Sequence, residues 1–250
     1  MEIASYLLIA FVGVLCGFIN ILAGSGSLIS LPVLIGLGLS PHMANATNRI
    51  GILLQNMVGS ASFAKQRVLP LKEGLVLSIP ASIGSIVGAY LAVDANESII
   101  RWTIVGLLVF MFFVVIYSPD KWLRPKPDAP MVIRSRDYVI FTAIGFYGGF
   151  IQAGLGYFLL AGLVLSIGND LITANSLKVF LAFVLTIFAL AIFFYNGQVN
   201  LPLGISLGIG NMVGGWLGAK YSVRWGAKVI RYFLLGMLLF SVLYMILFQM

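Results

Sequence analysis

The sequence predicts an all-α integral membrane protein made of two inverted-topology repeats, each a broken-helix hairpin followed by three transmembrane helices. Three observations predict it: an apolar composition with few charges, residue patterns that recur in the two halves, and the placement of the basic residues. Of 250 residues, 60% are hydrophobic and only 9% charged, with a mean hydropathy of +1.05. A soluble domain carries roughly 25% charged residues to solvate its surface. At ~20 apolar residues per crossing, the chain has room for about eight to ten membrane segments and almost nothing left for a soluble domain.

Apolar segments are read at about 3–22, 28–39, 47–64, 74–93 and 99–117, then at about 138–153, 157–168, 173–195, 201–219 and 229–248. Between the two sets lies 118–137, with four prolines and eight charges, a linker composition. The expected organisation is therefore a first membrane repeat over 1–117, a cytoplasmic linker over 118–137 and a second repeat over 138–250. The acidic Met-Glu-Ile start followed by a full apolar span reads as a retained first helix rather than a cleaved signal peptide.

The halves resemble each other in order. Ile100-Arg101-Trp102 running to Gly106 and Phe110 matches Ile230-Arg231-Tyr232 running to Gly236 and Phe240, at a spacing of 130 residues. Ile83-Gly84-Ser85-Ile86-Val87-Gly88 matches Ile209-Gly210-Asn211-Met212-Val213-Gly214. At the front, Gly17-Phe18-Ile19-Asn20 matches Gly149-Phe150-Ile151-Gln152, and Gly24-Ser25-Gly26 matches Gly154-Leu155-Gly156. Internal repeats of this kind accompany transporter folds.

Charge placement sets the orientation. Twelve of the fifteen Lys and Arg residues fall in three connections: Lys65, Arg67 and Lys72; Lys121, Arg124, Lys126, Arg134 and Arg136; Lys220, Arg224, Lys228 and Arg231. The positive-inside rule puts all three in the cytoplasm. The connections at 94–98 and 196–200 then face outward, so corresponding loops of the two halves lie on opposite sides and the repeats are inverted. Both termini are expected outside the cytoplasm, in the plasma membrane (the inner membrane of a bacterium).

Within each half the second segment is short. Twelve helical residues cover roughly 18 Å, well short of a ~30 Å hydrocarbon core, so each pair reads as a hairpin or tilted pair meeting near the midplane. Two glycine-rich breaks join them, Ala23-Gly24-Ser25-Gly26-Ser27 and Ala153-Gly154-Leu155-Gly156-Tyr157. Irregular backbone at membrane depth survives only where protein or a wet cavity satisfies it. A helix starting after such a break aims free N–H groups into it, which suits an anion; the plainer reading is that the glycines only permit close packing.

Ala44-Asn45-Ala46-Thr47-Asn48-Arg49 and Ala174-Asn175-Ser176-Leu177-Lys178 open the third segment of each half, and a one-residue slip in the spacing aligns Thr47 with Ser176 and Arg49 with Lys178. All eight acids lie at ends or in connections. A cation inside a span costs at least ~2.5–3.5 kcal/mol, which an anionic substrate would offset, unless both side chains snorkel to water. Asn20 and Gln152 stand just ahead of the breaks; the other amides, Gln55, Asn56 and Asn211, read as bridges between helices. The candidate substrate-binding set is Asn20, Gly24, Ser25, Gly26, Thr47, Asn48, Arg49, Gln152, Gly154, Gly156, Asn175, Ser176 and Lys178. Single Cys16 reads as packing and single His42 as a solvated residue of an outer loop.

These residues resemble a known family. Gly17-Phe18-Ile19 with Gly24-Ser25-Gly26, Pro32, Pro41 and Ala46-Thr47-Asn48-Arg49 is similar to the N-terminal motif of the sulfite exporter TauE/SafE family, also called the 4-toluene sulfonate uptake permease family. Gly148-Gly149-Phe150, Gly154, Gly156 and Lys178 resemble its second-half motif. The resemblance spans essentially the whole chain and implies transport of sulfite, sulfonates or related sulfur-containing anions.

The reading is thus a secondary transporter of a small sulfur-containing anion, exporting it by alternating access around a midplane site. The alternative is an anion channel with the same pore lining. An intramembrane enzyme is disfavoured: there is no HExxH, no GxSxG and no pair of buried carboxylates. Neither cofactor, metal nor nucleic acid is expected; the partners are the small anion and the lipid bilayer. Exact substrate, coupling and oligomeric state leave no signal in the chain.

Overall fold

A computed structural model describes residues 3–93, 95 and 132–247 of the protein. The expected segment at 99–117, Arg101 and most of the linker lie outside the described residues. Every regular element among those described is helical: α1 (Ile3–Ala23), α2 (Ser27–Gly36), α3 (Pro41–Lys65), α4 (Leu71–Ala92), α5 (Ser135–Phe150), α6 (Leu155–Ala161, continued by a π-helical turn Gly162–Ile167), α7 (Leu171–Tyr195) and α8 (Leu201–Leu247). Gly226, at φ 77° and ψ 176°, breaks α8 between the expected segments 201–219 and 229–248. Helix α5 starts at Ser135, so the last residues assigned to the linker are helical.

Polar caps explain where the long helices begin. Ser40 accepts from Met43 N at 3.3 Å with Pro41 in the first helical position, and Asp170 accepts from Ile172 N and Thr173 N at 2.9 and 3.1 Å. Asn200 does the same for α8 through Leu203 N. Helix α3 begins at Pro41, six residues ahead of the apolar run that marked this helix in the sequence. This start places His42 inside the first turn of α3, not in a loop.

Helices α3 and α7 end alike. Val68 N donates to Phe63 O and Arg67 N to Ala64 O; at a spacing of 130, Gln198 N donates to Phe193 O and Gly197 N to Phe194 O. Both are Schellman turns, with Arg67 at φ 58° and Gly197 at φ 67° in the left-handed position. Both helices have 25 residues. The one-residue slip expected between the halves is therefore absent, and Lys178 stands where Asn48 does while Arg49 stands where Val179 does.

Packing crosses between the halves. Helix α1 lies mainly against α8, α4 against α5, and α3 against both α7 and α8. Small residues bring the backbones together: a Cβ on Gly210 would lie 1.8 Å from Ala10 O, and one on Gly84 only 2.0 Å from Thr142 O. Gly84 with Gly88 and Gly210 with Gly214, each pair four residues apart, are thus packing devices. Helices α1, α4 and α7 are long and apolar enough to cross a membrane. Leu7, Phe11, Ile79, Ile83 and Val139 point outward from them and from α5, as a lipid-facing surface requires.

Candidate functional site

Two helices stop inside the molecule and restart. Helix α1 ends at Ala23, Gly24 turns left-handed at φ 83°, and α2 begins at Ser27. Helix α5 ends at Phe150, and the chain passes Gln152 (φ 61°) and Gly154 (φ 73°) before α6 begins at Leu155. The second break therefore covers 151–154, not 153–157 as the glycines suggested, and Gly156 and Tyr157 are helical. The two breaks touch: a Cβ on Gly24 would lie 2.4 Å from Gly156 Cα, and one on Gly156 equally close to Gly24 Cα.

Each buried cation docks on the broken helix of the other half. Arg49, 0% exposed, donates from Nη1 to Gly148 O (3.0 Å) and from Nη2 to Gly149 O (2.7 Å), in the last turn of α5. Its guanidinium lies 4.5 Å over the Phe193 ring. Lys178, 2% exposed, donates from Nζ to Asn20 O (3.2 Å) and Ile21 O (2.6 Å), in the last turn of α1. Last-turn carbonyls lack intrahelical partners and carry the negative end of the helix dipole, so a cation is favoured there. The offset that sequence reasoning assigned to a substrate is thus supplied first by main-chain carbonyls. Snorkelling is excluded by burial, and no carboxylate among the described residues pairs with either cation.

The two cations are not equivalent. A cavity of about 20 Å³ at the junction of the breaks is lined by Asn20, Gly24, Ser27, Asn56, Gln152, Gly156 and Lys178, with Ile52, Leu155 and Ala182 as apolar wall. Lys178 reaches it; Arg49 does not. The two stand at different positions of their helices, Lys178 opposite Asn48 and Arg49 opposite Val179. That volume holds about one water molecule.

Of the sequence candidates, Asn20, Gly24, Gln152, Gly156 and Lys178 come together at this cavity. Gln152 Nε2 donates to Thr186 Oγ1 at 2.6 Å, leaving its buried Oε1 without a partner. The others hold the frame. Asn48 Nδ2 donates to Ser27 Oγ (3.0 Å) and Asn48 Oδ1 accepts from Ser30 Oγ (2.7 Å), tying α2 to α3. Thr47 Oγ1 accepts from Asn200 N (3.0 Å), and Ser176 Oγ donates to Val68 O (2.9 Å). Gly26 packs on Cys16 O, and Gly154 supplies the left-handed cap of α6. Ser25 Oγ and both amide atoms of Asn175 are buried without partners. Ser27, read only as the end of the first break, and Asn56, read as a bridge between helices, also line the cavity. The signal for Asn56 was its place two turns after Arg49 on α3, a face shared with Ile52.

Comparison with known proteins follows the same lines. The chain is 27% identical over 238 residues to "Probable membrane transporter protein ORF9" of Sinorhizobium sp, covering 92% of this chain and 89% of that one. It is 25% identical over 223 residues to "Probable membrane transporter protein YfcA" of Escherichia coli K12 (88% and 82%). To "Probable membrane transporter protein YdhB" of Bacillus subtilis it is 22% identical over 219 residues (86% and 88%). No solved structure matches. Residues 9–245 match the family described as sulfite exporter TauE/SafE, and the chain belongs to that family of integral membrane transporters.

Proposed function

We propose that this protein is a secondary carrier that exports a small sulfur-containing anion, sulfite or a sulfonate, by alternating access around the cavity at the junction of the two breaks. The observation that carries the proposal is Lys178: an ammonium on the wall of a polar cavity, held by carbonyls and, among the described residues, by no carboxylate. An entering anion competes with Asn20 O and Ile21 O for that ammonium. Gln152, Asn56 and Ser27 supply further polar contacts at the same point, and among the described residues no second full charge is there to hold the anion too tightly to release.

The carrier reading, rather than the channel, is supported by the cavity's volume of about 20 Å³. Admitting a sulfur oxyanion requires the two halves to part, and a site that opens only by rearrangement suits alternating access. The inverted-repeat architecture in turn is supported by the left-handed glycines Gly38 and Gly168, the caps Ser40 and Asp170, and the two Schellman turns, all 130 residues apart. On the charge distribution, Lys65, Arg67, Arg134 and Arg136 face the cytoplasm. Efflux of an anion from a negative-inside cell is then electrically downhill.

The test is flux of sulfite and small sulfonates in proteoliposomes. Saturable flux, accelerated by the same anion on the opposite side and lost in Lys178→Met, is expected. Non-saturable flux without counterflow would replace the carrier by the channel, and unimpaired flux in Lys178→Met would remove the site.

A further inference from the structure

A second cavity, about 840 Å³, opens at the end of the molecule where α3 meets α4 and α5 begins. Arg67, Arg134 and Arg136 line it, together with Thr173, Glu73 and Asp170. The two acids stand at the N-termini of α4 and α7, where the helix dipole offsets a negative charge; Asp170 Oδ1 is also occupied by Ile172 N and Thr173 N. Of the three guanidiniums, Arg136 lies 3.8 Å from Asp137, and Arg67 has no ion pair among the described residues.

The arginine-bearing turn is built in place. Asp137, 0% exposed, accepts from Arg134 N at 2.7 Å and from Ser166 Oγ, and lies 3.8 Å from Arg136 Nε. Arg136 Nη2 donates to Ser166 O at 3.1 Å while its side chain stays 55% exposed, so it is held at the cavity with donors to spare.

Arg67 supplies the independent observation. It occupies the left-handed position of its Schellman turn, a conformation that strains any residue with a Cβ. The same turn 130 residues later uses Gly197, which adopts that conformation without strain. The turn therefore does not call for an arginine. Among the described residues the Arg67 side chain is exposed and makes no hydrogen bond or ion pair. What it does is line the cavity.

We propose that this cavity is a second anion site, a docking mouth in which Arg67, with Arg134 and Arg136, captures an oxyanion before it reaches Lys178. Guanidinium forks match the planar or pyramidal oxygen sets of sulfite, sulfate and sulfonate groups. The route inward is short: Thr173 on the cavity and Lys178 are five residues apart on α7, about 7.5 Å along the axis. Val68, also on the wall, is tied to that stretch by Ser176 Oγ. The proposal rests on the carrier reading for its cargo.

Two measurements test it. In vesicles with the arginine face toward the loaded anion, Arg67→Gln and Arg67→Gly are each expected to raise KM for sulfite by roughly three- to tenfold with little change in Vmax. The difference should shrink at high ionic strength. Arg67→Gly should also leave Tm equal or higher, because it removes the strain. An unchanged KM, or a fall in Vmax and Tm together in both variants, would overturn the docking role. Calorimetric titration of sulfite into the purified protein separates the two sites. Loss of a weaker class of sites in Arg67→Gln with Arg136→Gln, and of the tighter class in Lys178→Met, is the expected pattern. Titrations insensitive to the arginines dispose of the mouth alone; sensitivity to the arginines but not to Lys178 disposes of the central site and leaves the mouth standing.

Discussion

Gly24 and Gly156 face each other so closely that neither can carry a side chain: the ideal Cβ of each falls 2.4 Å from the Cα of the other. Backbone meets backbone at the point where the two broken helices cross, and neither neighbour can yield by changing a rotamer.

Replacing Gly24 by Ala adds left-handed strain at φ 83° to that overlap, and a cost on the order of 2–5 kcal/mol is expected. Gly156→Ala carries the overlap without the strain and should fall at the lower end. Gly36→Ala, where no atom lies within 4 Å of the new Cβ, is the control and should change stability by about 0.5 kcal/mol or less. Thermal unfolding of the three variants in detergent checks the order; equal midpoints for Gly24→Ala and Gly36→Ala would contradict it.

Arg49 and Lys178 should separate stability from transport. Arg49→Met leaves Gly148 O and Gly149 O without their donors and removes the cation from the Phe193 ring, a loss of about 1–3 kcal/mol. Lys178→Met uncaps α1 as well, but it also removes the only cation on the cavity wall among the described residues. The expected result is a lowered Tm in both variants. Residual saturable flux should survive in Arg49→Met at permissive temperature, and none in Lys178→Met.

The helix pairs α1/α8 and α4/α5 should respond alike to the same change. A Cβ on Gly88 would lie 2.0 Å from Phe146 O, and one on Gly214 would lie 2.0 Å from Val14 O. Alanine at either position must push two main chains apart, at a cost of about 1–3 kcal/mol. Similar drops in Tm for the two variants are expected, and a drop in only one would speak against equivalent interfaces.

Asn48 offers a milder lesion. Asn48→Ala removes both hydrogen bonds that hold α2 to α3 and leaves Ser27 Oγ, on the cavity wall, without its donor. A loss of about 1–3 kcal/mol is expected, with a raised KM because Ser27 is freed to turn. Unchanged KM and Tm would show that α2 is positioned by packing alone.

The sequence made the helical frame legible because membrane burial writes itself in long apolar runs and because charges are excluded from them. It located the first break within a residue or two, since Gly24 and Gly26 mark both ends. It misplaced the second because Gln152, not a glycine, takes a left-handed conformation there at φ 61° and ends the helix early. Lys178 was identifiable as a charge out of place, but its partners were not. A main-chain carbonyl has no residue letter, and only the fold reveals which carbonyls have lost their helix. The six residues by which α3 precedes its apolar run escaped for another reason: Pro41, His42 and Asn45 lower the hydropathy there, and the Ser40 cap, not apolarity, starts the helix.

Because α1 finds its mate in α8 and α4 finds its mate in α5, the most extensive helix interfaces among the described residues join one half to the other. During synthesis the first helix must wait, lodged in lipid with its glycine face unmatched, until residues 207–214 of α8 have been made. Truncation or a stalled ribosome would therefore leave an orphan surface of the kind membrane proteases remove. Two separately expressed halves would gain stability only by finding each other.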